Sequence, residues 1–307
     1  MEPISKKEAD IIKSHAKINL HLEVLNRRGD NYHNLFSLMA ELDLCDILSL
    51  EYFDLSENSG DVSVEILNAG GAFSSVLKEI PVEKNLITVA VKKYMDIIGR
   101  GGRFTFSITK NIPSGAGMGG GSSNAAAALD LVSGLFEKTI YDDLLKAASS
   151  TGSDVPFFLR GGFAFVEGRG ESVTPLDFSD ESFILLVNNG IHVNTGFAYE
   201  SLKKPVTDIA TDCFDKKRII SERIPCKSEW KNLFKNDFET GIFNLYPELA
   251  LIKENLYKNG AYFASMTGSG STVFGLFNDE YNAVIVHKML ENEGNRVYFT
   301  KFRSKLN

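Results

Sequence analysis

A chain of 307 residues and 33.9 kDa is longer than one small module and suits one large domain or two. Its 43% hydrophobic and 24% charged residues exclude disorder and fibrous structure, and a net charge of -7 leaves no global positive field for nucleic acid or an anionic membrane. The three cysteines, Cys45, Cys213 and Cys226, form no C-x-x-C pair, so neither a disulfide framework nor a zinc site is expected, and a reducing cytoplasm fits.

Residues 1–8 alternate charges without an apolar stretch, unlike a signal peptide, and no segment is apolar enough to span a bilayer. From residue 15 to 25 the chain alternates. Ala16, Ile18, Leu20, Leu22 and Val24 lie on one face and Lys17, Asn19, His21 and Glu23 on the other, which predicts a strand with one wet face. A polar turn over 26–31 follows, and residues 44–53 and 62–67 resume the alternation, so the first third reads as a sheet with hairpins. Helical periodicity over 85–98 ends at Gly99, and a strand is expected over 104–109.

Beyond the glycine-rich stretch, Ser122 or Ser123 can N-cap a helix through Ala125 to Leu129, with a second helix over 141–149. Glycines at 161, 162, 168 and 170 punctuate a hairpin, residues 182–188 begin a new unit, and a boundary falls near residue 165. The charged stretch 203–231 reads as a solvated helix and its connections. A helix over 247–259, a strand pair over 262–277, a helix over 280–294 and a strand over 297–302 complete the chain.

The segment from Ile112 to Ala127 carries most chemical information. Gly115, Gly117, Gly119, Gly120 and Gly121 stand between a strand and a helix, where backbone N–H groups and the helix N-terminus together suit a triphosphate. Gly115, Gly117 and Gly120 also satisfy G-x-G-x-x-G, but the acidic residue a dinucleotide site needs about 20 residues later, at the end of a second parallel strand, has no convincing candidate, and the chain has no Gly-Lys pair for a Walker A loop. Read alone, the run is equally a flexible loop.

Lys17 and Asn19 point the same way from their strand and could grip a phosphoryl group, or simply be solvated. Asp154, in Gly152-Ser153-Asp154-Val155-Pro156, could accept a proton from a substrate hydroxyl, or cap a helix. The second glycine turn, Met266-Thr267-Gly268-Ser269-Gly270, closes over a ligand or is a tight β-turn.

The order of these pieces, with Gly29-Asp30-Asn31-Tyr32-His33 between the first and second, resembles the GHMP kinases over residues 14–277. Within them it looks most like the members acting on 4-diphosphocytidyl-2-C-methyl-D-erythritol. The resemblance implies an α+β, two-domain fold: an ATP-binding domain over 1–165 similar to ribosomal protein S5 domain 2, and a ferredoxin-like substrate domain over 166–307. It implies transfer of the ATP γ-phosphoryl group to the 2-hydroxyl of that substrate, with Mg²⁺ accompanying ATP and no dedicated protein metal site.

Carried over by position, Asp154 and Lys17 would be catalytic. Asn85, Lys110, Pro113, Ser114, Gly115, Ala116, Gly117, Met118, Gly119, Gly120, Gly121, Ser122 and Ser123 would hold ATP. Asn19, Tyr32, His33, Thr195 and Tyr199 would contact the substrate, with two aromatic faces suiting the cytosine. Ala116, where some members have Gly, fits if its φ is negative. Kinases of homoserine or mevalonate, a non-catalytic nucleotide-binding module and a dinucleotide-dependent oxidoreductase are the other readings; the Tyr32-His33 pair argues against the first two substrates, which carry no base.

Overall fold

The computed structural model describes residues 10–57, 60–207 and 212–303, so the charged stretch 1–8 lies outside the described residues. The chain forms two compact units that are discontinuous in sequence. Among the described residues, one comprises 10–16, 44–57, 60–114 and 119–159, the other 17–43, 115–118, 160–207 and 212–303. Two long strands, β1 (Ile11–Arg27) and β2 (His33–Ser56), run through both.

In the first unit, β3 (Val62–Gly70), α1 (Leu86–Ile97) and β4 (Gly101–Thr109) form a crossover in which β3 and β4 are parallel. The second half of β2 pairs antiparallel with β4, Ile47 opposite Thr109 and Phe53 opposite Phe104, so the expected hairpins are only part of this sheet. The helices α2 (Gly120–Ser133), α3 (Tyr141–Thr151) and α4 (Val155–Phe158) follow. The core joins Ile87, Val91 and Tyr94 of α1 to Ala125, Ala128 and Leu129 of α2 and to Phe104 and Phe106 of β4. The small alanines let α1 and α2 approach closely, while the larger aliphatic and aromatic side chains fill the core between helices and sheet.

In the second unit, the first half of β2 pairs with β5 (Phe163–Gly168), and β5 with β6 (Ser172–Leu176), the hairpin that the glycines mark. Then come β7 (Phe183–Asn188), α5 (Thr195–Ser201), α6 (Phe214–Arg223), α7 (Trp230–Leu233), α8 (Phe238–Leu245), α9 (Pro247–Lys258), β8 (Phe263–Met266), β9 (Val273–Phe277), α10 (Glu280–Asn292) and β10 (Arg296–Lys301). The sheet order β10-β7-β9-β8, with every pair antiparallel, is the fourth, first, third and second strand of a ferredoxin-like βαββαβ unit. Leu249, Ile252 and Leu256 of α9 and Ala283, Val286 and Leu290 of α10 pack with Leu185, Val187 and Val273 of the sheet. The charged stretch carries α6, whose sole buried residue is Ile220, in keeping with a solvated helix.

Candidate active site

The first strand's polar face is not wet. Lys17, Asn19 and His21 are buried, and Glu23 is half-buried with ion pairs to Lys216 at 2.6 Å and Lys235 at 3.4 Å. Alternation shows that two faces differ, not that one meets water. Here the polar face meets other polar groups of its unit. Lys17 Nζ donates to Asn19 Oδ1 at 2.7 Å. Asn19 Nδ2 donates to Ser37 Oγ at 2.9 Å, its backbone N–H to Thr267 Oγ1 at 3.2 Å, and its Oδ1 accepts the Gly268 N–H at 3.0 Å. Both polar atoms of the Asn19 side chain and its backbone N–H therefore have partners, which is the condition for keeping an amide out of water.

The second glycine turn is thus more than a β-turn. The Thr267 hydroxyl reaches the Gly117 carbonyl at 3.2 Å, and Asn236 Nδ2 holds the carbonyls of Met266 at 2.7 Å and Gly268 at 2.9 Å. Lys17 N–H donates to the Met118 carbonyl at 3.0 Å. The Lys17–Asn19 pair, the Thr267 turn and residues 117–118 are one hydrogen-bonded cluster.

Along the glycine-rich stretch, φ is positive at Gly115 (67°), Gly117 (78°) and Gly119 (71°), whereas Ala116 is not among the positive-φ residues, as its side chain requires. Left-handed residues alternating with ordinary ones curl successive N–H groups toward one concave side. Ala116 and Met118 are buried, so their side chains pack inward and only their backbone is left for a ligand; Pro113 is buried too, and Ser114, Gly115 and Gly121 are exposed. A Cβ on Gly117 would lie 2.3 Å from the Thr267 carbonyl oxygen, so that glycine is required by close backbone approach as well as by φ.

Helix α2 begins at Gly120 with Gly119 as its N-cap, one turn earlier than a serine cap implies. Its first intrahelical bond is Ser123 N–H to the Gly119 carbonyl at 2.9 Å. The N–H groups of Gly120, Gly121 and Ser122 precede that bond, no side chain caps the helix, and the helix dipole adds positive charge: an anion cradle made of backbone. Ser122 and Ser123 lie in this first turn, Ser123 buried.

Lys110 and Asp46 support that turn from beneath. Both are buried; Lys110 Nζ is bonded to Asp46 Oδ2 and donates to the Ile112 carbonyl at 2.9 Å, while Asp46 Oδ1 accepts the N–H groups of Asn111 at 2.6 Å and Ile112 at 2.8 Å. Burial pulls the Lys110 ammonium below its ordinary value, with Asp46 opposing. A Cβ on Gly120 would stand 2.9 Å from Lys110 Nζ, so the ammonium underlies the first residue of α2. Asn85 Oδ1 caps α1 by accepting the Ile87 N–H at 3.0 Å. Asp154 occupies the N-cap position of α4, yet its side chain makes no capping hydrogen bond, so the cap alone does not account for the carboxylate.

In the second unit, Tyr32 is half exposed with the Arg169 guanidinium 3.9 Å above its ring. His33 stacks on Tyr199 with centroids 4.8 Å apart, and Tyr199 meets the edge of Phe238 at 4.9 Å. Burial, and secondarily Arg27, lower the His33 pKa, which favours the neutral imidazole. Tyr199 thus faces His33 here, while Tyr32 carries a guanidinium. Thr195, at the start of α5, bonds through its hydroxyl to Ser269 at 3.0 Å, tying α5 to the Thr267 turn. Sequence reasoning missed Asp46, Arg169 and His192, whose imidazole would meet a Cβ on Gly115 at 3.2 Å. For Asp46 a signal existed: a lone carboxylate within the apolar alternation of residues 44–48.

Comparison with known proteins places this arrangement. The family description GHMP kinases N terminal domain matches residues 85–162, and GHMP kinases C terminal matches residues 223–296. The fold is therefore that of a two-domain α+β GHMP kinase. A 4-diphosphocytidyl-2-C-methyl-D-erythritol kinase of Azobacteroides pseudotrichonymphae genomovar. CFP2 is 37% identical over 88% of this chain and 94% of its own. One of Thermodesulfovibrio yellowstonii is 34% identical over 94% and 96%. A crystal structure of 4-(cytidine 5'-diphospho)-2C-methyl-D-erythritol kinase superposes with a TM-score of 0.73 at 28% identity, covering 96% of this chain and 100% of that one. The chain belongs to the family of 4-diphosphocytidyl-2-C-methyl-D-erythritol kinases.

Proposed function

We propose that this protein transfers the γ-phosphoryl group of ATP to the 2-hydroxyl of 4-diphosphocytidyl-2-C-methyl-D-erythritol, giving the 2-phosphate and ADP, a step of non-mevalonate isoprenoid precursor synthesis. The observation that carries the reading is the buried Lys17–Asn19 pair, bonded to the Thr267 turn, in a chain that aligns with this family over most of its length. The Lys17 ammonium is buried and oriented by the Asn19 amide oxygen, which suits it to a phosphoryl group.

In this reading Asp154 accepts or orients the proton of the attacking hydroxyl, and Lys17 offsets the charge that develops at the transferred phosphoryl group. Residues 113–123 hold the triphosphate through backbone N–H groups. Asn85 and Lys110 border the adenine; because the Lys110 ammonium is bonded to Asp46 and the Ile112 carbonyl, Lys110 serves the nucleotide through its backbone and by supporting the loop. Asn19 and Thr195 contact the substrate, while Tyr32, His33 and Tyr199 bind the cytosine, whose entry re-forms the present stacking pairs.

Among the described residues no group of three or more His, Cys, Asp or Glu side chains could hold a metal ion. A Mg²⁺ ion bound with ATP would be held mainly by phosphate and water oxygens, with Ser123 and Asp154 as protein oxygens suited to it. It neutralises phosphate charge. No helix among the described residues is long and apolar enough to cross a membrane, and the cytoplasm is the proposed location.

The test is ADP release by the purified protein with Mg-ATP, comparing 4-diphosphocytidyl-2-C-methyl-D-erythritol with methylerythritol 4-phosphate, mevalonate and homoserine. Turnover confined to the cytidylated substrate is expected. Activity on another alcohol alone would discard the roles of Tyr32, His33 and Tyr199.

A further inference from the structure

The hairpin turn between β5 and β6 presents one arginine beside the aromatic residues of the second unit. Gly168 (φ 70°) and Gly170 (φ 126°) bracket Arg169, and the Glu171 carboxylate accepts the Arg169 backbone N–H at 2.6 Å, so the turn holds the side chain's starting point. The guanidinium carbon lies over the Tyr32 ring, 3.9 Å from its centroid. The ring is itself anchored: Tyr32 N–H donates to Asp30 Oδ1 at 3.1 Å, and the Arg28 N–H donates to the Tyr32 carbonyl at 2.7 Å.

The local charges are unevenly matched. Arg28 pairs with Asp30 at 3.1 Å and bonds Asn34 at 3.2 Å; Arg27 reaches only the neutral Asn31 amide, at 2.8 Å. Glu171 is turned to the backbone of its own hairpin, and Glu167 pairs with Lys217 at 2.8 Å. The Arg169 guanidinium therefore has Tyr32 as its ring partner, Asp30 as a neighbouring charge already shared with Arg28, and no hydrogen bond of its own among the described residues. In a chain of net charge -7, this is a site where a planar cation keeps five donors unspent next to rings suited to a base.

We propose that Arg169 is a specificity-determining residue that binds the diphosphate of the nucleoside-diphosphate part of the substrate while its plane backs the Tyr32 ring. The proposal rests on the cytidylated substrate assigned above. A guanidinium takes two oxygens of a diphosphate at once, and stacking on Tyr32 fixes the plane from which its donors project. Arg169 thereby separates a nucleoside diphosphate from a free nucleoside, a distinction the aromatic faces alone do not make.

The experiment is calorimetric titration of the full chain with CDP and, separately, cytidine, under a saturating non-hydrolysable ATP analogue that keeps CDP out of the phosphate cradle. Wild type, Arg169→Gln and Arg169→Lys are compared, with thermal melts confirming that each is folded. Arg169→Gln is expected to weaken CDP about tenfold or more and cytidine by no more than about twofold, with Arg169→Lys recovering part of the loss. The KM for the cytidylated substrate should rise in parallel, while the KM for ATP stays unchanged. Equal weakening of CDP and cytidine would reduce Arg169 to a support for Tyr32, and unchanged CDP binding would remove it from the site; either result overturns the proposal. Failure of wild type to bind CDP while it still turns over another alcohol would overturn the substrate assignment itself, and the proposal with it.

Discussion

The start of α2 and the surroundings of Tyr32 are built by opposite means. At α2 what is presented is backbone: three leading N–H groups, glycines with positive φ, and beneath them the buried Asp46–Lys110 pair. Around Tyr32 it is side chain: rings on a turn and a helix, half exposed, each already touching an intramolecular partner. A triphosphate asks for many donors in little space, and only consecutive peptide groups supply that density. A base asks for flat apolar area, which rings offer and loops can rearrange. The first region is consequently intolerant of volume and the second tolerant of motion.

The largest effect should come from chemistry and spare both binding regions. Asp154→Asn is expected to lower kcat by about 10² to 10⁴ while calorimetric ATP binding persists; near-normal turnover would end its role as base. Next, Asp46→Ala leaves the Lys110 ammonium buried and unpaired, at a cost of about 3–5 kcal/mol in urea unfolding, and raises the KM for ATP more than that for the second substrate. Adding Lys110→Met should recover much of the stability, and no recovery would mean that Asp46 matters for its backbone acceptors instead. Gly117→Ala forces a side chain into positive φ against the Thr267 carbonyl and should cost at least about 1–2 kcal/mol in the same assay; a silent substitution would show that this loop is less rigid than the comparison holds. Tyr199→Ala should raise the KM for the cytidylated substrate about tenfold and leave the KM for ATP alone.

The smallest effect is a pH dependence. Burial lowers the His33 pKa below its ordinary 6.5, so the ring is neutral at pH 7–8, and it gains a proton only as pH falls through that lowered value. Because the folded environment disfavours the charged ring, the substrate KM should be flat above pH 6.5 and rise in acid, and His33→Gln should abolish the rise. An unchanged acid limb in that variant would assign it to another group.

The same contrast explains what the sequence made legible. Glycine spacing announced the left-handed turns of the loop before α2 because φ requirements are local, and the alternation of residues 15–25 announced β1. The error over its polar face arose because Asn19 finds Ser37, Thr267 and Gly268 through separations of 18, 248 and 249 residues, which no periodicity encodes. Serine was expected as the α2 cap from ordinary preference, whereas the left-handed Gly119 takes the position because the chain must curl its N–H groups outward. Asp46 lies 64 residues from Lys110, so it looked like one more polar residue in a strand. Family resemblance singled out Tyr32, His33 and Tyr199; their present pairing with Arg169 and with each other was not legible, since stacking geometry leaves no mark on spacing.

Strand β2 bears on the molecule's history and its engineering. It pairs with β4 through its second half in one unit and with β5 through its first half in the other, and Leu22 and Val24 of β1 sit in the same core as the ferredoxin-like sheet. A gene fragment that began at β5 would encode all four strands of the ferredoxin-like sheet yet leave those two core positions unfilled and β5 without its β2 neighbour. Recombination between relatives is therefore safest when it exchanges residues 17–43 together with the C-terminal half, as one inherited block.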